Sequence, residues 1–270
     1  MPMSPRLLRP LASGFNPKSI AGLYLWLDAA DSSTVTLNSN NVSEWRDKSG
    51  SSRHFAQSAA GLQPAYTQAG ENGKNCLTFD ASKLLVSSSA SSVWSLFHDG
   101  SAIYDIYIVW KAAAGSTTLR AMLATGDSTP NNRSMYLWHD FRSGASTFVY
   151  AITALGSGDA NRNSQRSLPG VSANVLRVGR VTADPANATL ANRGTLRADG
   201  RTASTGPAFT GIASAGDPMH NLTIGSLSPS NASFGFAGTI CEILVYSVSP
   251  AVAARQRIEN YLNRKWNAAL

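Results

Sequence analysis

The sequence predicts an all-β protein: a two-sheet antiparallel sandwich with a C-terminal α-helix and an extended N-terminal arm. Three observations carry this. Short runs of β-branched, aromatic and aliphatic residues recur between Gly-, Ser-, Asn- and Asp-rich stretches, with no crossover helix separating them. Charged residues make up only 14% of the 270 residues against 43% hydrophobic, a balance that suits strands joined by polar turns better than helices laced with ion pairs. The one strong amphipathic helix comes last, directly after a long strand, and needs an existing sheet to dock on.

In chain order, residues 1–20 form a basic arm. Pro2, Pro5, Pro10 and Pro17 exclude a regular helix or a central strand, and Arg6, Arg9 and Lys18 stand there without an acid. Leu7, Leu8, Leu11 and Phe15 are apolar studs on this extended strip, which suits a groove or sheet edge on a partner. The competing expectation is an arm packed along its own domain. Residues 21–270 make the sandwich domain, which includes the helix over 249–266.

The first strand is Gly22 to Asp28, where Leu23, Leu25 and Leu27 alternate with Tyr24, Trp26 and Asp28. Short strands are expected at Val42 to Trp45, Arg53 to Gln57, Pro64 to Thr67, Cys76 to Phe79 and Leu84 to Ser87, then a helical turn near Ser92 to His98. Ile103 to Lys111 is apolar on both faces, Ile106, Ile108 and Trp110 on one and Tyr107 and Val109 on the other, and reads as a central strand. Leu119 to Ala124, Ser134 to Phe141 and Thr147 to Ile152 follow as antiparallel strands. Residues 156–170, rich in Gly, Asn and Pro, read as a loop. Val175 to Thr182 alternates Val/Leu with Arg and reads as half-exposed. Asp199-Gly200 is a two-residue hairpin turn between Thr195 to Ala198 and Arg201 to Ala203. Leu222 to Leu227 is the penultimate strand.

The closing strand reaches Tyr246 and should lie near the first. Ile240 belongs inward with Ile243 and Val245, yet strict alternation puts it on the opposite face; a β-bulge at Cys241–Glu242 resolves the conflict. The helix then opens on Ser249 as N-cap and Pro250 at its first position. Ala251, Ala254, Ile258, Tyr261, Leu262 and Trp266 form its apolar stripe.

The net charge is +7, and seven of the seventeen Arg fall between Arg162 and Arg201. No aromatic-interleaved motif accompanies them, so nucleic acid is not the expected partner. Cys76 and Cys241, the only two cysteines, are expected as buried thiols and not as a disulfide framework. The first fifteen residues lack the unbroken apolar core of a secretory signal, and no apolar run is long enough to span a membrane.

The segments LYLWLDAADSSTV, VSEWRDKSG, QPAY and CLTFD near the start, and LTIGS, FAGTICEILVY and ENYLNRKW near the end, resemble the concanavalin A-like lectin/glucanase domains of the laminin-G type. The resemblance spans about residues 21–266, with its specific motifs at the two ends. It implies a jelly-roll sandwich of the kind found in bacteriophage virion proteins, and a fold that hosts sugar binders, hydrolases and structural modules alike.

Glucanases of this fold carry Glu-x-Asp-x-(x)-Glu on one strand. This chain has no such run and only four Glu, namely Glu44, Glu71, Glu242 and Glu259, which argues against an enzyme. Glu242, inside the closing strand, is expected to accept hydrogen bonds from its neighbours. His54, His98, His139 and His220 are scattered, so no metal site is expected, and no cofactor; Asp28 and Asp31 read as turn caps and not calcium ligands. Tyr136, Trp138, Asp140 and Arg142 share one face of a strand and form the candidate carbohydrate-binding rail, unless the two rings belong to the core.

The expected function is a non-catalytic structural or adhesive component of a bacteriophage particle, of capsid-decoration, head or tail-fibre type. It would be made in the host cytoplasm, anchored to other virion proteins by Arg6, Leu7, Leu8, Arg9, Leu11 and Phe15, able to meet host glycan, and possible as a homo-oligomer. A stand-alone lectin module is the alternative, and a glycoside hydrolase the third choice.

Overall fold

The structure, a computed structural model, describes residues 14–126, 134–142, 146–154, 162–203, 216–230 and 234–268. Its strands are β1 (Leu23–Asp28), β2 (Val35–Asn38), β3 (Asn41–Trp45), β4 (Phe55–Ala56), β5 (Ala65–Glu71), β6 (Lys74–Asp80), β7 (Leu85–Ser87), β8 (Tyr104–Ala112), β9 (Leu119–Ala124), β10 (Ser134–Asp140), β11 (Thr147–Ala154), β12 (Arg162–Pro169), β13 (Arg177–Ala183), β14 (Gly194–Ala198), β15 (Arg201–Ala203), β16 (Thr223–Ile224) and β17 (Ala237–Tyr246), followed by helix α1 (Val252–Trp266). Every pairing between these strands is antiparallel.

Pairing follows two runs. One goes β5–β6–β17–β8–β13–β14–β15, with β1 taking over the edge of β17 beyond β6; the other goes β4–β7–β16–β9–β10–β11–β12. Strand β3 pairs with β4 and with β5, so the two runs join into one hydrogen-bonded network of 17 strands. Two separate sheets were expected; the short β3 merges them and leaves fewer open edges.

Strand β17 organises the fold. Its first half lies between β6 and β8, its second between β1 and β8. The bulge expected there is present: Ile240 faces Trp110 and Glu242 faces Val109, with Cys241 as the extra residue. Ile240, Ile243 and Val245 consequently all enter the main core, with Leu25, Leu27, Ile106, Ile108 and Trp110. Gly238 adopts φ +140°, and a Cβ there would meet the Lys111 carbonyl oxygen at 2.1 Å, so only Gly fits.

The opposite face of β1, β8 and β17 carries a second core. Trp26, Tyr107, Val109, Leu244 and Tyr246 pack there against Ile258, Leu262 and Trp266 of α1. The helix thus covers the outside of the sheet, and Val178 of β13 is sealed beneath it. Strand β13 is therefore almost wholly buried instead of half-exposed. Arg177 pairs with Asp199 at 2.7 Å and Arg180 with Glu259 at 2.7 Å, so much of the basic cluster is neutralised within the chain.

Two further local expectations change. Residues Arg162–Pro169 form a strand instead of a loop, because β11 supplies eight consecutive partners to their backbone. The Ser249 hydroxyl does not cap α1. It donates to Asp105 at 3.0 Å, Arg255 donates to the same buried carboxylate at 2.9 Å, and the helix starts after Ala251 without a side-chain cap. The Asp199-Gly200 hairpin forms as expected, with both residues at positive φ.

Candidate functional site

The proposed rail lies on β10. Met135 and Leu137 point into the main core, which sends Tyr136, Trp138 and Asp140 to the other face. Their surroundings come from a bulge in β9: Leu137 faces Leu123 but Trp138 faces Ala121. Met122 and Leu123 therefore both enter the core, while Ala121 and Ala124 both face outward. With Ala151 opposite Tyr136 on β11, these methyls make a shallow floor, and Leu227 closes one side. On it the Tyr136 and Trp138 rings stack in parallel, 5.0 Å between centroids and 5° between planes.

Burial differs along the proposed rail. Both rings lie outside the main core, Tyr136 is nevertheless only 6% exposed, and Trp138 is the partly open member. The Trp138 Nε1 donor has no acceptor among the described residues. Asp140 continues the face and accepts from Arg142 Nε and its terminal nitrogen at 3.1 and 2.9 Å. Burial works to raise the Asp140 carboxyl, and the Arg142 guanidinium outweighs it, holding the group below its ordinary value. His139 points the other way, between Trp110 and Ser146. Burial, reinforced by Arg177, pushes its imidazole down to about 4, so it is neutral at physiological pH.

A second polar cluster went unseen in the sequence. The β1–β17 register sets Asp28 directly opposite Glu242. Glu242 accepts from Trp26 Nε1 at 2.9 Å, Tyr261 hydroxyl at 2.7 Å, Lys265 at 2.8 Å and Trp266 Nε1 at 2.6 Å. Asp28 accepts from Lys48 and from Lys265, which bridges the two carboxylates. Burial and the Asp28 charge raise the Glu242 carboxyl. Paired carboxylates are an acid–base motif, but here four donors from the chain itself fill the acceptor sites of Glu242, which is 1% exposed. The pair fastens α1 to the sheet. A carboxylate motif along one strand does not contain this pair, because its members come from opposite ends of the chain. The expected role of Glu242 as an acceptor holds.

Of the arm, Arg6, Leu7, Leu8, Arg9 and Leu11 lie outside the described residues. Phe15 is described, and it packs on its own chain: its ring is 5.4 Å from that of Tyr261, with Arg257 above it at 5.2 Å. Tyr246 donates to the Pro17 carbonyl at 3.2 Å, and Ile20 enters the second core. The root of the arm thus follows its own domain.

Asp31 caps a turn through Ser33, and Asp28 accepts from the Ala30 amide, as their capping reading requires. Among the described residues no group of three or more His, Cys, Asp or Glu is placed to hold a metal ion. No helix among them is long and apolar enough to cross a membrane.

No family model matches this sequence, and no curated protein matches it. Solved structures resemble it to different degrees. The Trypanosoma rangeli sialidase in complex with sialic acid matches with a TM-score of 0.57 at 12% identity, over 93% of this chain and 34% of that one. A sialidase carbohydrate-binding module (CBM40) of Ruminococcus gnavus, bound to α2,3-sialyllactose, matches with a TM-score of 0.44 at 17% identity, over 59% of this chain and 84% of that one. The expectation of a chain without enzymatic activity is corrected here. It rested on the missing Glu-x-Asp-x-(x)-Glu run, which marks one group of glucanases, whereas the fold neighbours are sialidases, so that absence does not argue against catalysis. This fold carries glycoside chemistry in other proteins, and fold alone assigns none to this one.

Proposed function

We propose that this chain is a glycan-binding adhesive module of a bacteriophage particle, a jelly-roll domain of the concanavalin A-like type. In this reading it is made in the host cytoplasm and joins the virion, where residues 1–13 engage neighbouring virion proteins and the outer face of β10 meets host glycan. The observation that carries it is the stacked Tyr136–Trp138 pair on the face away from the main core, ending in Asp140 and Arg142. A partly open indole face suits stacking on a sugar ring. The Arg142–Asp140 pair adds directional hydrogen bonding at the end of the rail.

A glycan array with the wild type and Trp138→Ala tests the binding face. Wild-type recognition that the variant loses, at an unchanged melting midpoint, supports the reading; equal recognition by both sinks it. Reducing-sugar release from the bound glycans, measured in parallel, reports catalysis directly. Removal of residues 2–13 tests the anchoring. Loss of co-assembly with retained folding supports anchoring through residues 1–13, full assembly of the truncated chain sinks that anchoring, and a full-length chain that never joins the particle favours the stand-alone lectin module.

A further inference from the structure

A cavity of about 570 Å³ opens where the arm root meets α1, lined by Phe15, Arg257, Asn260, Tyr261, Arg264 and Lys265. The volume is in the range of small-ligand sites. The helical residues stand at successive i+3 and i+4 steps from Arg257 to Lys265, so they share one face of α1. Two aromatic rings form an apolar wall.

The charge of the site is unbalanced. The only acid on α1, Glu259, is taken by Arg180 and Arg197. Lys265 is committed to Asp28 and Glu242. Arg257 and Arg264 are exposed and form no ion pair among the described residues. Two uncompensated guanidinium groups beside an apolar wall and the Asn260 amide match an acidic group, a ring face and a hydroxyl. Along the helix axis the two Arg are about 10 Å apart, which suits negative groups spaced along a chain better than one small anion. Residues 1–13 are the wrong occupant on charge, since they carry Arg6 and Arg9 and no acid.

We propose that this cavity binds an acidic polysaccharide, through Arg257 and Arg264 to its anionic groups and through Phe15 and Tyr261 to its sugar rings. The site is separate from the β10 face and stands or falls without it.

Fluorescence anisotropy with labelled oligogalacturonate and a labelled sulfated heparin oligosaccharide tests this on the full chain, with neutral dextran as control. The former probe carries carboxylates and the latter mainly sulfates, so their ranking identifies the anionic group. R257E/R264E is expected to weaken the better probe at least about tenfold. The charge-matched R46E/K74E, which lies elsewhere, should stay within about twofold, and Trp138→Ala should change nothing. Equal weakening by both double variants overturns the proposal, because the net charge of +7 would then explain the binding. Failure of both acidic probes to bind the wild type also overturns it. If R257E/R264E melts early, R257Q/R264Q removes the charges with less repulsion and reads the same comparison.

Discussion

Replacing Trp266 by Ala probes the junction on which the last forty residues depend. The side chain is fully buried against Trp26, Leu244 and Tyr246, and its Nε1 donates to Glu242 at 2.6 Å. Truncating a buried Trp costs about 3–5 kcal/mol through lost burial and the cavity left behind. A hydrogen bond to a charged group adds about 1.5–3 kcal/mol. The two overlap, because Lys265, Tyr261 and Trp26 still serve the carboxylate, so the expected total is about 4–6 kcal/mol. At roughly 2 °C per kcal/mol for a chain of this size, the melting midpoint should fall by about 8–12 °C in a calorimetric scan. Trp266→Phe separates the contributions: it keeps most of the ring and drops the donor, and should cost about 1–3 kcal/mol. A midpoint for Trp266→Ala within about 2 °C of wild type would refute the burial argument. Equal losses for both variants would refute its division between packing and hydrogen bond.

His139 predicts an acid-side loss of stability. Its folded pKa of about 4 lies below the ordinary value of 6.5, so between these values the unfolded chain takes up a proton that the folded one refuses. Stability from this group is complete above pH 6.5 and falls by about 3 kcal/mol as pH drops to 4. The raised carboxyl of Glu242 acts in the opposite direction, so the readout is the wild type minus His139→Gln in urea titrations at pH 7 and 4.5; parallel curves would contradict the assignment. Gly238→Ala should cost several kcal/mol or prevent folding, since the new methyl meets a backbone oxygen in the centre of the sheet. Gly200→Ala, at φ +68° in an exposed turn, should cost only about 1 kcal/mol, and a larger loss in the same assay would show the hairpin to be less tolerant than its geometry implies.

Much of the scaffold was legible in the sequence because it is local. Alternation in β8 separates Ile106, Ile108 and Trp110 from Tyr107 and Val109, and the structure puts these sets in different cores. The parity conflict between Ile240 and Ile243 located the bulge at Cys241, and Asp199-Gly200 located a hairpin. The apolar stripe of α1 named Ile258, Leu262 and Trp266 as the residues that dock. Each of these follows from the period of a strand or helix, or from the turn geometry a dipeptide permits.

What tertiary structure decided are the pairings between distant segments. Nothing in Arg162–Pro169 reads as a strand, yet β11 makes it one, since a ladder bonds backbone groups whatever the side chains are. Asp28 and Glu242 became neighbours only when β1 settled on β17, and Ser249 was lost as a cap only because Asp105 and Arg255 lay within its reach. For the candidate sites, the sequence placed Tyr136, Trp138 and Asp140 on one face, but the alanine floor beneath them needed the bulge in β9. The cavity beside Phe15 needed the arm root and the helix brought together from the two ends of the chain. Periodicity fixes which way a side chain points within its own element; what it meets there is set by contacts whose partners lie tens to hundreds of residues away, and these exist only once the whole chain has packed.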